Sequence, residues 1–305
     1  MRLIHALLLT RRLRAGLFAG LIGGVSLLSR SAVAQDAPAG VMKQDAATSG
    51  KADVATEGFA TAAAKKDDAN DATEAKIQAG GLSASGNSRS LALTSMGTVR
   101  ARRGANEFSA AAAANYGRSA SKPTDPVQTT IENYQGKLRY DRFVSDPVAL
   151  FTSLSARRDR FQGLDLRLNL DPGLAYYFVQ GPKHQLWAEA GYDLQYDIRR
   201  DEAIAAALAD GTRLVKAKTR HSARLFAGYR NNLNEAVTFN TGVEYLQGLP
   251  ETQFWRFNWD LGLTAALAAK FSLATTFSLR YDNEPLTGIK STDTLTAVNL
   301  VYQLL

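Results

Sequence analysis

Beyond residue 34 the chain carries two histidines, His184 and His221, and it has no cysteine. The adjacent His221-Ser222 has the residue types of a base and a nucleophile, the pairing used for acyl transfer. On an extended strand, however, successive side chains point to opposite faces, so these two cannot exchange a proton directly. The next residues on the His221 face are Thr219 and Ala223, and neither is a serine. No catalytic residue is therefore expected, and the chain reads as a protein that is not an enzyme. Thiolate ligands are absent and no tight acidic cluster stands out, so no metal site and no cofactor are expected.

The larger body of chemistry is charge placed at every second residue. Glu189, Asp193 and Asp197 alternate with apolar side chains, as do Lys218, Arg220 and Arg224, then Arg256 and Asp260, then Arg280 and Asp282. On strands, each of these sets falls on one face. Mixed charges facing one another across a closed lumen either pair and fill it or line a narrow wet passage. The Lys and Arg excess between 213 and 230 favours anions if that passage is open. The opposite faces carry Tyr192, Tyr196, Tyr229, Tyr245, Trp255, Trp259 and Tyr281, residue types that form girdles at a membrane interface. The same aromatics would also suit lipid recognition, so a lipid-active enzyme or lipid-binding barrel stands as an alternative.

The elements that position these side chains are long strands. Residues 185–199 show the pattern most fully: Leu186, Ala188, Ala190, Tyr192, Leu194, Tyr196 and Ile198 alternate with Trp187, Glu189, Gly191, Asp193, Gln195, Asp197 and Arg199. A helical period of 3.6 would mix these sets, whereas a period of 2 separates them. One apolar face and one charged face over such a length is what a tilted strand between lipid and a wet lumen requires. Upstream, Leu164, Leu166, Leu168, Leu170, Leu174, Tyr176 and Phe178 share a face opposite Asp165, Arg167, Asn169 and Asp171, with Pro172 breaking the outward row once and predicting a bulge or strained spot there.

Twelve such segments follow one another from residue 76: 76–85, 89–102, 107–118, 128–142, 148–157, 164–178, 185–199, 213–230, 235–247, 253–267, 271–282 and 291 to the end. The long connections (119–127, 200–212, 283–290) fall on one side and the short ones (103–106, 231–234, 268–270) on the other, as in an up-and-down barrel of the outer membrane. The fold expected is all-β, an antiparallel transmembrane barrel of 12 strands over 76–305. A soluble periplasmic β-sandwich is the second alternative.

Residues 1–34 read as a signal peptide: Arg11, Arg12 and Arg14, an uncharged stretch over 15–29, then Ala32-Val33-Ala34 at the cleavage spacing. That stretch is shorter than the about 20 residues a spanning helix needs. Residues 35–75, rich in Ala, Asp, Lys and Thr, read as a disordered periplasmic linker. The formal net charge is +7, but five of the 36 Lys and Arg lie in the first 34 residues, where no acid occurs. The remainder holds 31 basic against 29 acidic residues, so nucleic acid is not an expected partner. The expected partners are outer-membrane lipids and, through Val298, Leu300, Tyr302 and Leu304 of the last strand, the outer-membrane assembly machinery; oligomeric state is left open.

Gly86-Asn87-Ser88 between two strands, Arg157-Arg158-Asp159-Arg160-Phe161, Asp165-Leu166-Arg167 and Gly173-Leu174-Ala175-Tyr176 give the chain a resemblance to the uncharacterised family of salt-induced outer-membrane β-barrel proteins. The resemblance spans roughly 77–305. It implies an outer-membrane barrel of a Gram-negative envelope, structural or a narrow small-solute channel linked to osmotic or salt conditions, with the N-terminal tail in the periplasm. It brings no catalytic residue and no ligand.

Overall fold

The computed structural model describes residues 71–86, 88–122, 124–285 and 290–304. The signal peptide expected over 1–34 and the linker over 35–70 lie outside them. The strands are β1 (Asp71–Ala84), β2 (Arg89–Arg103), β3 (Asn106–Ala120), β4 (Gln128–Ser145), β5 (Val148–Asp159), β6 (Leu164–Gln180), β7 (His184–Arg199), β8 (Ala217–Asn232), β9 (Val237–Gly248), β10 (Trp255–Ala266), β11 (Phe271–Asp282) and β12 (Thr292–Gln303). Each pairs antiparallel with its neighbours in sequence, and β12 returns to β1, so the sheet closes into a twelve-stranded barrel. Closure into one barrel removes the β-sandwich alternative.

Side-chain distribution is inverted relative to a soluble domain. Leu93, Leu150, Leu225 and Val298 are 53%, 49%, 55% and 56% exposed on the outer wall, while Glu107, Asp141, Glu189, Asp193 and Asp260 are buried inside. In a single closed sheet the period-2 pattern permits only this sorting, one set to the outside and one to the lumen.

Connections over 121–127, 200–216 and 283–291 gather at one rim, and short turns such as 104–105, 146–147 and 181–183 at the other. The longest connection carries a helix, α1 (Asp201–Ala209), so β8 begins at Ala217 rather than at the expected 213. β1 begins at Asp71, which shortens the expected linker by five residues. Asp71, Ala72, Thr73, Glu74 and Ala75 have weak strand character, but the ladder with β2 holds them, aided by Arg103–Asp71 and Arg100–Glu74 contacts at 2.8 and 3.3 Å.

Pro172 makes no bulge. The pairs Leu170↔Leu194 and Gly173↔Gly191 bracket it at one offset, so the register runs through unshifted. Proline has no N–H for the ladder, and Gly191, the partner of the next residue Gly173, admits a close backbone approach, since a Cβ there would lie 2.6 Å from the Pro172 carbonyl oxygen. The β6–β7 irregularities fall instead between Tyr177 and Val179 and between Leu164 and Leu166. The second turns Leu164 inward, where it is 3% exposed, and not outward with the other leucines of β6.

Closure is uneven. β1 and β12 pair only from Lys76↔Gln303 to Ala79↔Leu300, near the short-turn rim, whereas β1 pairs with β2 along its whole length. Inside that same end, Phe151, Tyr177, Trp187 and Phe226 pack with Ala149, Ala175 and the partly buried Phe143. Trp187 is fully buried, its ring lying over Gly228, where a Cβ would come 2.2 Å from it.

Candidate functional site: the charged lumen

Above the aromatic cluster the lumen is braced by ions. Arg139 of β4 bonds Asp141 at 2.7 Å and reaches Glu189 of β7 at 2.9 Å. Glu189 also accepts from Arg224 of β8 at 2.8 Å, and Arg224 continues to Glu244 of β9 at 2.6 Å. Asn258 of β10 donates to the second Glu244 oxygen at 2.8 Å. Cation and aromatic layers interlock, with the Arg139 guanidinium 4.2 Å from the Phe151 ring centroid.

Nearer the long-loop rim a second network forms. Arg167 grips both oxygens of Asp197 at 2.7 and 2.8 Å, the bidentate geometry that a planar guanidinium favours. Gln195 donates to Asp197 at 2.9 Å and accepts from Arg256 at 2.5 Å, and Arg256 also bonds Asp282 at 2.8 Å. Asp193 accepts from Asn169 at 2.6 Å, and Arg280 bonds Asp260 at 2.8 Å. At the mouth Lys218 donates to Glu251 at 2.8 Å, while Arg220 has Glu284 at 3.5 Å. That Lys218 bond holds the Glu251 carboxyl below its ordinary range. On the neighbouring loop, a hydrogen bond to Asp201 raises the Lys216 ammonium. Between the networks lies a cavity of about 260 Å³, whose lining runs from Lys137, Asp171 and Arg224 up to Pro285 and Lys290 of the β11–β12 connection.

All ten charges singled out in the sequence thus have a place. Glu189, Asp193, Asp197, Arg224, Arg256 and Asp260 are buried, and Lys218, Arg220, Arg280 and Asp282 are partly so. The seven aromatics divide by height. Tyr245, Trp255 and Tyr281 form a run near the long-loop rim, with ring centroids 6.1 and 4.7 Å apart, and Tyr196 is exposed on β7 at the same end. Tyr229 sits near the short turns, its hydroxyl 2.9 Å from His184 Nδ1. Trp259 donates to Thr241 Oγ1 at 3.0 Å and meets Phe277 edge-on. Tyr192 bonds His221 Nδ1, and Ser222 lies fully buried on the opposite face.

Two groups were not singled out. Lys137, Arg139 and Arg167 sit at inward positions of β4 and β6; alternation sets them on the polar faces of their strands, but they were not counted among the lumen charges. Phe254 had no such signal. It lies in the turn before β10, 2% exposed, with the Arg220 and Arg256 guanidinium groups 3.9 and 4.8 Å from its ring centroid.

Comparison with known proteins places this barrel among others. Residues 77–304 match the family model described as "Protein of unknown function, DUF481". A protein of Escherichia coli (strain K12), "Uncharacterized protein YdiY", is 25% identical over 234 residues, covering 76% of this chain and 83% of that one. Among solved structures, the translocator domain of autotransporter NalP from Neisseria meningitidis is 15% identical at a TM-score of 0.40, covering 75% of this chain and 86% of its own. The KdgM porin is 8% identical at a TM-score of 0.39, covering 76% of this chain and 98% of its own.

Proposed function

Taking as premise that this chain belongs to the family described as "Protein of unknown function, DUF481", we propose that it is an outer-membrane β-barrel of a Gram-negative envelope. In this reading its lumen is a narrow channel for small polar solutes. The observation that carries it is the inverted wall, apolar outside and ionic inside, which water on both faces would not stabilise. Among the described residues no helix is long and apolar enough to cross a membrane, so any crossing is made by strands. The short turns and the N-terminal tail face the periplasm, β12 is the strand that the assembly machinery reads, and outer-membrane lipids meet the aromatic girdles. The link to salt or osmotic conditions rests on the family resemblance.

A role other than enzymatic is supported by the outer-wall histidines. His221 is engaged by Tyr192 and His184 by Tyr229, while Ser222 faces the other way. The Trp187 cluster favours a second reading, a sealed barrel with a structural role, because it packs the lumen at the periplasmic end.

Planar-bilayer recording separates the two. A channel gives small, discrete conductance steps with anion preference, and that preference rises in Asp193→Arg. If purified, heat-modifiable barrel inserts without any steps, the channel reading falls and the sealed barrel stands. Recovery of the protein in the soluble periplasmic fraction would remove both.

A further inference from the structure

The carboxylates lining the cavity are already engaged. Both oxygens of Glu244 and both of Asp197 accept hydrogen bonds, and Asp193 and Asp282 are held by Asn169 and Arg256. The spare capacity is cationic. Lys137 lines the cavity with no hydrogen bond or ion pair to its ammonium among the described residues. Its closest acidic environment is Glu189 and Glu244, whose oxygens are taken by Arg139, Arg224 and Asn258. Arg157 and Arg220 also line the cavity, and each has its Nε buried without a hydrogen-bond partner. Arg157 stands directly opposite Arg167 in the β5–β6 ladder; Arg167 is neutralised on both its donors by Asp197, whereas Arg157 has only Asp159 at 2.9 Å.

Buried donors without partners cost free energy that a bound acceptor recovers. One acidic group completes the lining: Asp171 lies beside the Asp193 carboxyl, its Oδ1 buried with no donor among the described residues and its other oxygen taken by Ser153 at 2.9 Å. A lone acceptor beside three spare cationic donors suits a hydroxyl on an otherwise anionic molecule. The volume, about 260 Å³, lies just below the range of drug-sized pockets, so the occupant is small.

We propose that this cavity binds a small hydroxylated carboxylate, a sugar acid or hydroxy acid, with its carboxylate held by Lys137, Arg157 and Arg220 and a hydroxyl donating to Asp171. It rests on the channel reading only in that the solute enters from the long-loop rim.

The test is calorimetric titration of the full, detergent-folded chain with gluconate, glucose and glucosamine. Gluconate should bind saturably. Glucose, which lacks the charge-assisted bonds, should bind at least tenfold more weakly, and cationic glucosamine not at all. Lys137→Met should weaken gluconate at least tenfold with unchanged heat-modifiable migration, and Lys137→Arg should restore it. Equal affinity for gluconate and glucose, or a Lys137→Met protein that binds gluconate like the parent, overturns the site. Gluconate binding without conductance upholds the site while removing the channel. Conductance without gluconate binding overturns the site and leaves the channel.

Discussion

Arg139 on β4 and Glu189 on β7 meet at 2.9 Å although three ladders separate their strands along the sheet. The bond therefore ties strands a quarter of the barrel apart through the lumen, and Glu189 passes the tie on to Arg224. Glu189→Ala strips both arginines of a buried partner, and breaking a buried pair costs about 3–5 kcal/mol. Urea unfolding in detergent should show that loss. A loss under about 1 kcal/mol, the scale of solvent-exposed pairs, would mean that water already solvates the pair.

Leu194 and Asp193 are consecutive residues with opposite surroundings. Leu194 lies on the outer wall beside His221 of β8, and Asp193 is buried against Asn169. Leu194→Arg should destabilise the lipid-embedded barrel by about 2–4 kcal/mol if the residue lies near the bilayer midplane. Folding into vesicles checks this, and Leu194→Arg folding as well as the parent would reverse the assignment of faces.

Trp187 fills the short-turn end without any solvent exposure. Trp187→Ala should cost about 3–5 kcal/mol through lost packing and the cavity left behind. It should also enlarge the conductance step in bilayers, because the ring that covers Gly228 is gone. Unchanged conductance in a folded variant would put the constriction elsewhere.

The seam between β1 and β12 can be locked. Ala79 and Leu300 are cross-strand partners on the outer wall, and such Cα pairs lie about 4.5–5.5 Å apart, within disulfide reach. Ala79→Cys with Leu300→Cys should oxidise spontaneously and slow unfolding until reductant is added. Failure to cross-link on a non-reducing gel would argue against closure at this register.

Glu251 reports on pH at the mouth. Its carboxyl is held below the ordinary range, first by the hydrogen bond from Lys218. A depressed folded value means the contact is present above the ordinary carboxylate range and is lost as pH falls through the depressed value. Protection over 249–254, corrected for the intrinsic pH dependence of amide exchange, should therefore fall as the pH drops below the ordinary carboxylate range in the parent. The Glu251→Gln protein should show no such step.

Period-2 alternation by itself determined the strand count and which face of β7, β8, β10 and β11 carries charge, because the pleat sends successive side chains to opposite sides; closure, which separates a barrel from a sandwich, only the structure decided. It also marked the split between long and short connections. Sequence could not show that Asp71 to Ala75 belong to β1, since the neighbouring ladder holds those residues despite their composition. Nor could it show that Leu164 turns inward, because irregularities in both ladders of β6 shift the register there. Above all, the partners of the charges were illegible. Arg139 finds Glu189, and Arg256 finds Gln195, through the lumen between strands that share no ladder. Lys137 has no hydrogen bond or ion pair among the described residues, because the Glu189 and Glu244 carboxylates near it are taken by Arg139, Arg224 and Asn258. Local periodicity decides which way a side chain points, whereas closure of the barrel decides what it meets there.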